Sequence, residues 1–103
     1  MQVIISWRHR EPLRAMEEHI NKKLSHIERF SNRISKTAIV ITQEGTRNIV
    51  EFKIKLDKVP EFLVKEESHD MREAVDSCIA KAEHKIKGIE SKVRDKKSGS
   101  FIG

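Results

Sequence analysis

The sequence predicts an α+β domain of order β-α-β-β-β-α, a four-stranded mixed sheet with two parallel helices on one face. Three observations predict it. Apolar residues recur at helical spacing over two long stretches, Leu13 to Phe30 and Met71 to Val93. Four short β-branched runs precede or separate those stretches, and Ile49 to Leu56 alternates cleanly between apolar and charged residues. Gly45 and Pro60, each among polar neighbours, punctuate the last three runs at hairpin distances.

The first run, Gln2 to Trp7, sets Val3, Ile5 and Trp7 on one face and Ile4 on the other, as in a short strand. Pro12 suits the first turn of a helix whose stripe is Leu13, Met16, Ile20, Leu24, Ile27 and Phe30. A second strand spans Lys36 to Thr42, and Gln43 to Arg47 form a turn. In the third strand Val50, Phe52, Ile54 and Leu56 face the core while Glu51, Lys53 and Lys55 face water. Phe62 and Val64 alternate with Leu63 and Lys65 in a fourth strand. Asp70, with Glu73 three residues on, reads as a capping box opening helix two, whose stripe includes Met71, Val75, Cys78, Ile79, Ala82, Ile86, Ile89 and Val93. The meander leaves one sheet face without a helix. Residues 1–94 form the domain, and 95–103, rich in Lys, Ser and Gly, are expected as a flexible basic tail.

A chain of 103 residues encloses one modest core. Its 21 Lys and Arg against 16 Asp and Glu give a formal charge of +5, which favours an anionic partner. No apolar stretch approaches the roughly 20 residues that span a bilayer, and a single cysteine offers no internal disulfide, so a cytoplasmic monomer is expected.

Catalytic and cofactor chemistry find no foothold. The four glycines are scattered and form no phosphate cradle. Cys78 falls on an apolar stripe, where a thiol packs as a small hydrophobe. His19 and His26 are seven residues apart, too far to share one metal ion as i, i+4 pairs do. Adjacent pairs such as Glu17-Glu18 and Glu66-Glu67 point their side chains apart. Trp7 is a lone aromatic on a core face, and tyrosine is absent, so no aromatic platform for bases is expected. No enzyme activity, metal, cofactor or small-molecule substrate is predicted.

The placement of charge is more informative. At about 100° per residue, Lys23, His19, His26 and Arg33 run down one flank of helix one, with Glu17 and Glu28 on the other and Lys22 and Arg29 outermost. On helix two, Lys81, Lys85 and Lys92 border one side of the stripe, and Asp76, Glu83 and Glu90 lie on the far side near Lys87. A merely solvated surface mixes signs. Segregated flanks follow a row of phosphates.

The segments Lys22-Lys23-Leu24-Ser25-His26-Ile27-Glu28-Arg29-Phe30 and His69-Asp70-Met71-Arg72-Glu73-Ala74-Val75-Asp76, the latter followed by Ile79, Lys81 and Glu83, resemble the ribosome hibernation factor family, also named for sigma-54 modulation. The resemblance covers roughly residues 2 to 94 and points to the short form of that family. It implies a protein that binds small-subunit ribosomal RNA in the channel used by mRNA and tRNA. There it blocks translation and stores inactive ribosomes in stationary phase or stress, and the short tail leans towards promotion of ribosome dimers. Carried over by position, Lys22, Lys23, Arg29, Lys81, Lys85 and Lys87 are RNA-facing; the flank pattern adds Arg33 and Lys92, with His26, Arg72 and His84 as secondary candidates.

The chain departs from the family pattern where Arg72 replaces a usual Tyr, Glu17 a nearby Arg and Trp7 a small residue. His26 and His84 stand where Lys or Arg is common, and an unperturbed His is mostly neutral at pH 7. Two other readings compete with a ribosome-binding factor. A general double-stranded-RNA module also joins a meander to a helix, and a small-molecule-binding or enzyme domain can share the layout, since fold does not fix function.

Overall fold

The computed structural model describes residues 1–29 and 31–102, with side chains through Lys92. Phe30, Val93 and the expected tail at 95–103 lie outside those described side chains. The order is β1 (Gln2–Arg8), α1 (Arg14–Glu28), β2 (Ile34–Glu44), β3 (Arg47–Leu56), β4 (Phe62–Ser68) and α2 (Met71–Ile102). The predicted β-α-β-β-β-α fold is the one found.

β1 pairs parallel with β2, which requires a crossover, and α1 supplies it. β2, β3 and β4 then pair antiparallel in the spatial order β1-β2-β3-β4, so β1 and β4 are the sheet edges. Both helices cover one face: Ile20, Leu24 and Ile27 of α1 and Val75, Cys78, Ala82 and Ile86 of α2 join the inner sheet residues in one core. They run parallel, since His19 meets Asp76 while the later Arg33 meets the later Glu90. The open face carries the register row Ile4, Ala38, Lys53 and Leu63.

Element boundaries differ from expectation for identifiable reasons. α1 begins at Arg14, so Pro12 precedes its first turn; Leu13 keeps an extended backbone (φ −110°, ψ 108°) as the N-cap and lies 40% exposed, outside the buried stripe. The hairpin between β2 and β3 is tighter than the five-residue turn expected. Glu44 pairs with Arg47 around Gly45-Thr46, and positive φ at Gly45 alone of the two is the II′ pattern that matches strand twist. β4 runs past Lys65 to Ser68 because neighbouring cations accommodate its acids: Lys81 Nζ lies 2.5 Å from Glu66, and Arg47 pairs with Glu67.

The cap of α2 is half of the predicted box. Asp70 Oδ1 accepts the backbone N–H groups of Arg72 (2.9 Å) and Glu73 (3.3 Å), while the Asp70 amide donates to Ser68 Oγ (3.1 Å) and not to Glu73. Replacing Asp70 with Ala therefore removes the acceptor for two helix-end donors and is expected to cost about 1 kcal/mol in urea unfolding, with Asp70→Asn close to neutral. A loss below about 0.3 kcal/mol for Asp70→Ala contradicts this account.

Candidate nucleic-acid interface

Burying Ile20, Leu24 and Ile27 turns the opposite side of α1 to solvent, and with it Lys22, Lys23, His26 and Arg29. These residues, with His19, Ser25 and Arg72 from the first turn of α2, line a cleft of about 670 Å³. No carboxylate is among the lining residues. Among the described residues Lys22, Lys23 and Arg29 form no ion pair, so their charge is directed outward.

Arg72 and His19 are held from behind by one carboxylate. Asp76 Oδ1 lies 2.6 Å from His19 Nε2, and Asp76 Oδ2 lies 3.7 Å from Arg72 Nε. Where the family pattern has Tyr, this chain thus brings a cation to the cleft wall. The other substitutions are also linked: Trp7 Nε1 donates to Glu17 Oε2 at 2.8 Å, and the Arg10 guanidinium lies 5.6 Å from the Trp7 ring centre. Glu17 serves as the acceptor that a part-buried indole needs. Trp7 packs against the core, as expected, with its ring beneath Arg10.

The segregation of sign on the two helices has a second origin that the sequence did not reveal. The acidic flank of α2 faces α1 and the segment after it: Asp76 meets His19 of α1, while Glu90 meets Arg33 at 3.3 Å and accepts from Ser31 Oγ at 3.1 Å, both of which follow α1 instead of lying on it as the helical spacing predicts for Arg33. Arg33, a candidate RNA contact, is therefore a brace between elements, its side chain only 28% exposed. Lys87 is paired with Glu83 at 3.1 Å along α2.

The remaining candidates on α2 lie elsewhere. Lys81, His84 and Lys85, with Lys65 of β4, border a second depression of about 540 Å³ floored by Leu63, Val64 and Ala80. Lys85 Nζ sits 5.1 Å from the Phe62 ring centre. Lys92 is exposed on a later turn. The fold thus gathers Lys22, Lys23, His26, Arg29 and Arg72 into one basic surface beside the inter-helix seam and Lys81, His84 and Lys85 into another beside the β4 edge, and leaves Arg33, Lys87 and Lys92 outside both. Lys65 was not among the sequence candidates, because its place beside this depression depends on how α2 lies on β4.

Cys78 is buried at 0% exposure, and its thiol lies 3.4 Å from the carbonyl oxygen of Val64 and 3.5 Å from that of Val50. Burial, reinforced by the nearby Glu66 charge, pushes its pKa up to about 12. No thiolate nucleophile is present at neutral pH. Among the described residues no group of three His, Cys, Asp or Glu is placed to hold a metal ion, and no helix is long and apolar enough to cross a membrane.

Comparison with solved structures agrees with this architecture. A ribosomal subunit interface protein from Coxiella burnetii superposes with a TM-score of 0.80 at 24% identity, covering 88% of this chain and 99% of that one. The N-terminal domain of Thermus thermophilus Protein Y gives a TM-score of 0.76 at 21% identity, covering 86% and 99%. No curated protein matches. The family model described as Sigma 54 modulation protein / S30EA ribosomal protein matches residues 3–94, and the chain belongs to that family.

Proposed function

We propose that the protein is a ribosome-binding factor that docks on small-subunit ribosomal RNA in the mRNA/tRNA channel and silences translation by occupying it. The observation that carries this reading is the carboxylate-free cleft lined by Lys22, Lys23, His26, Arg29 and Arg72. Lys22, Lys23 and Arg29, which form no ion pair among the described residues, give phosphates fixed positions to meet at no cost of breaking one, and Arg72 joins them braced by Asp76. Family membership supplies the ribosome as the source of that RNA. The action is steric and needs no turnover, which fits a cytoplasmic monomer working without cofactor in stationary phase or stress, with inactive ribosomes stored as dimers.

Co-sedimentation with purified small subunits over a salt series tests the reading. The logarithm of affinity should fall linearly with the logarithm of salt, by roughly 0.7–0.9 for each phosphate neutralised. A flat profile is incompatible with the proposal. Affinity for a free RNA duplex equal to that for small subunits favours a general double-stranded-RNA module instead. A sucrose gradient of extracts with and without the protein reads out whether ribosomes accumulate as dimers.

A further inference from the structure

We infer that the groove between β4 and α2 docks an extended, acidic peptide segment of a partner protein, which adds to the sheet as a strand along the β4 edge. This inference is independent of the RNA reading, although the two share Lys81 and Lys85. β4 pairs only with β3, so among the described residues no strand meets its outer backbone groups. Such an edge is a template for another chain.

What lies beside the edge specifies the guest. The groove of about 540 Å³ is lined by Leu63, Val64 and Ala80, and Leu63, on the open face of the sheet, is 53% exposed, so apolar side chains on that face of an added strand pack beside it while the alternate ones face α2. On the α2 side its rim is Lys81, His84 and Lys85, with no carboxylate among the lining residues, while Lys65 lies opposite Glu51 on the open face, 4.0 Å from it. The spacing fits as well. Lys81 and Lys85 are one turn apart, a rise of about 6 Å along a helix, while side chains on one face of a strand repeat at about 6.6 Å. Alternate carboxylates of an extended chain can therefore face successive lysines.

Other occupants fit less well. A second copy would oppose Lys65 and the lysine rim with a chain that itself carries +5, and lysines on an edge strand discourage such self-pairing. RNA needs the cations but gains nothing from an apolar floor beside an open strand. The internal contacts of the rim leave it usable. Lys81 holds Glu66 at 2.5 Å with its side chain 62% exposed, and an ammonium has three donors.

The probe is an eight-residue peptide of alternating valine and glutamate, titrated into ¹⁵N-labelled protein. Shifts confined to Phe62–Ser68 of β4 and to Ala80–Lys85, with slowed hydrogen exchange of β4 amides, are the expected result. The Lys81→Glu/Lys85→Glu variant, confirmed folded by its spectrum, should raise Kd by roughly tenfold or more, as loss of close charge pairs does. Replacing valine by serine in the peptide should also weaken binding. Shifts centred on Lys22, Lys23 and Arg29, equal binding of the serine peptide, or the same β4 protection produced by an RNA duplex would each overturn the inference.

Discussion

Reversing both lysines of the cleft, Lys22→Glu with Lys23→Glu, is expected to weaken binding to small ribosomal subunits by on the order of 100-fold, taking about tenfold, or 1.4 kcal/mol, for each. Both side chains are exposed and line the cleft, and no described carboxylate pairs with either. The mutation therefore acts on the partner and leaves the fold intact, with stability unchanged within about 0.5 kcal/mol. The salt dependence should flatten by about one unit of slope per lysine, because each lost phosphate contact releases one counterion fewer. Arg33→Ala is the control. Its guanidinium is held by Glu90, so its removal should lower stability more than RNA affinity. Undiminished co-sedimentation of the double variant, or a loss accompanied by unfolding, would sink the assignment of the cleft.

The control rests on a contact that helical spacing does not reveal, the pairing of Arg33 with Glu90. Periodicity located both apolar stripes and hence both flanks, because burial of residues such as Ile20 and Leu24 on one side dictates what faces outward. A helical wheel treats each helix in isolation. Once α1 and α2 lie parallel, the acidic flank of α2 meets α1 and the turn that follows it, and part of the charge is used there by His19–Asp76 and Arg33–Glu90. Segregation of sign thus had two causes, and only tertiary geometry separates Lys22 and Lys23 from Arg33.

Contacts between elements distant in sequence were unreadable for the same reason. Trp7 and Glu17 stood out separately as departures from the family pattern, yet they are donor and acceptor of one hydrogen bond between β1 and α1. Arg72 likewise acquires a meaning only beside α1, where it completes a wall with Lys22 and Arg29. The strands were easier. In β3 the alternation of Val50, Phe52, Ile54 and Leu56 with Glu51, Lys53 and Lys55 left no other register possible without burying charge. Strand ends were harder, because Glu66 and Glu67 look like loop until Lys81 and Arg47 are found opposite them.

That alternation sets up a large stability effect. Phe52 lies in β3, which pairs on both sides, opposite Ile39 of β2 and Val64 of β4, and it is 0% exposed. Phe52→Ala removes the bulk of the largest fully buried side chain among the described residues from the layer on which both helices rest. The expected cost is about 3–5 kcal/mol, a large share of the roughly 5–15 kcal/mol that holds a domain of this size. At about 4–8 °C per kcal/mol the Tm should fall by more than about 12 °C. The neighbouring Lys53 points to the open face, and Lys53→Ala should stay within about 0.5 kcal/mol. Equal effects at positions 52 and 53 would contradict the one-sided sheet. The consequence reaches the cleft, whose walls come from both α1 and α2 and have the shared core beneath them. Phe52→Ala should therefore lose small-subunit binding at the temperature where it unfolds, whereas Lys22→Glu with Lys23→Glu loses it while folded. Unfolding and binding curves taken together distinguish a collapsed cleft from an intact one with reversed charge.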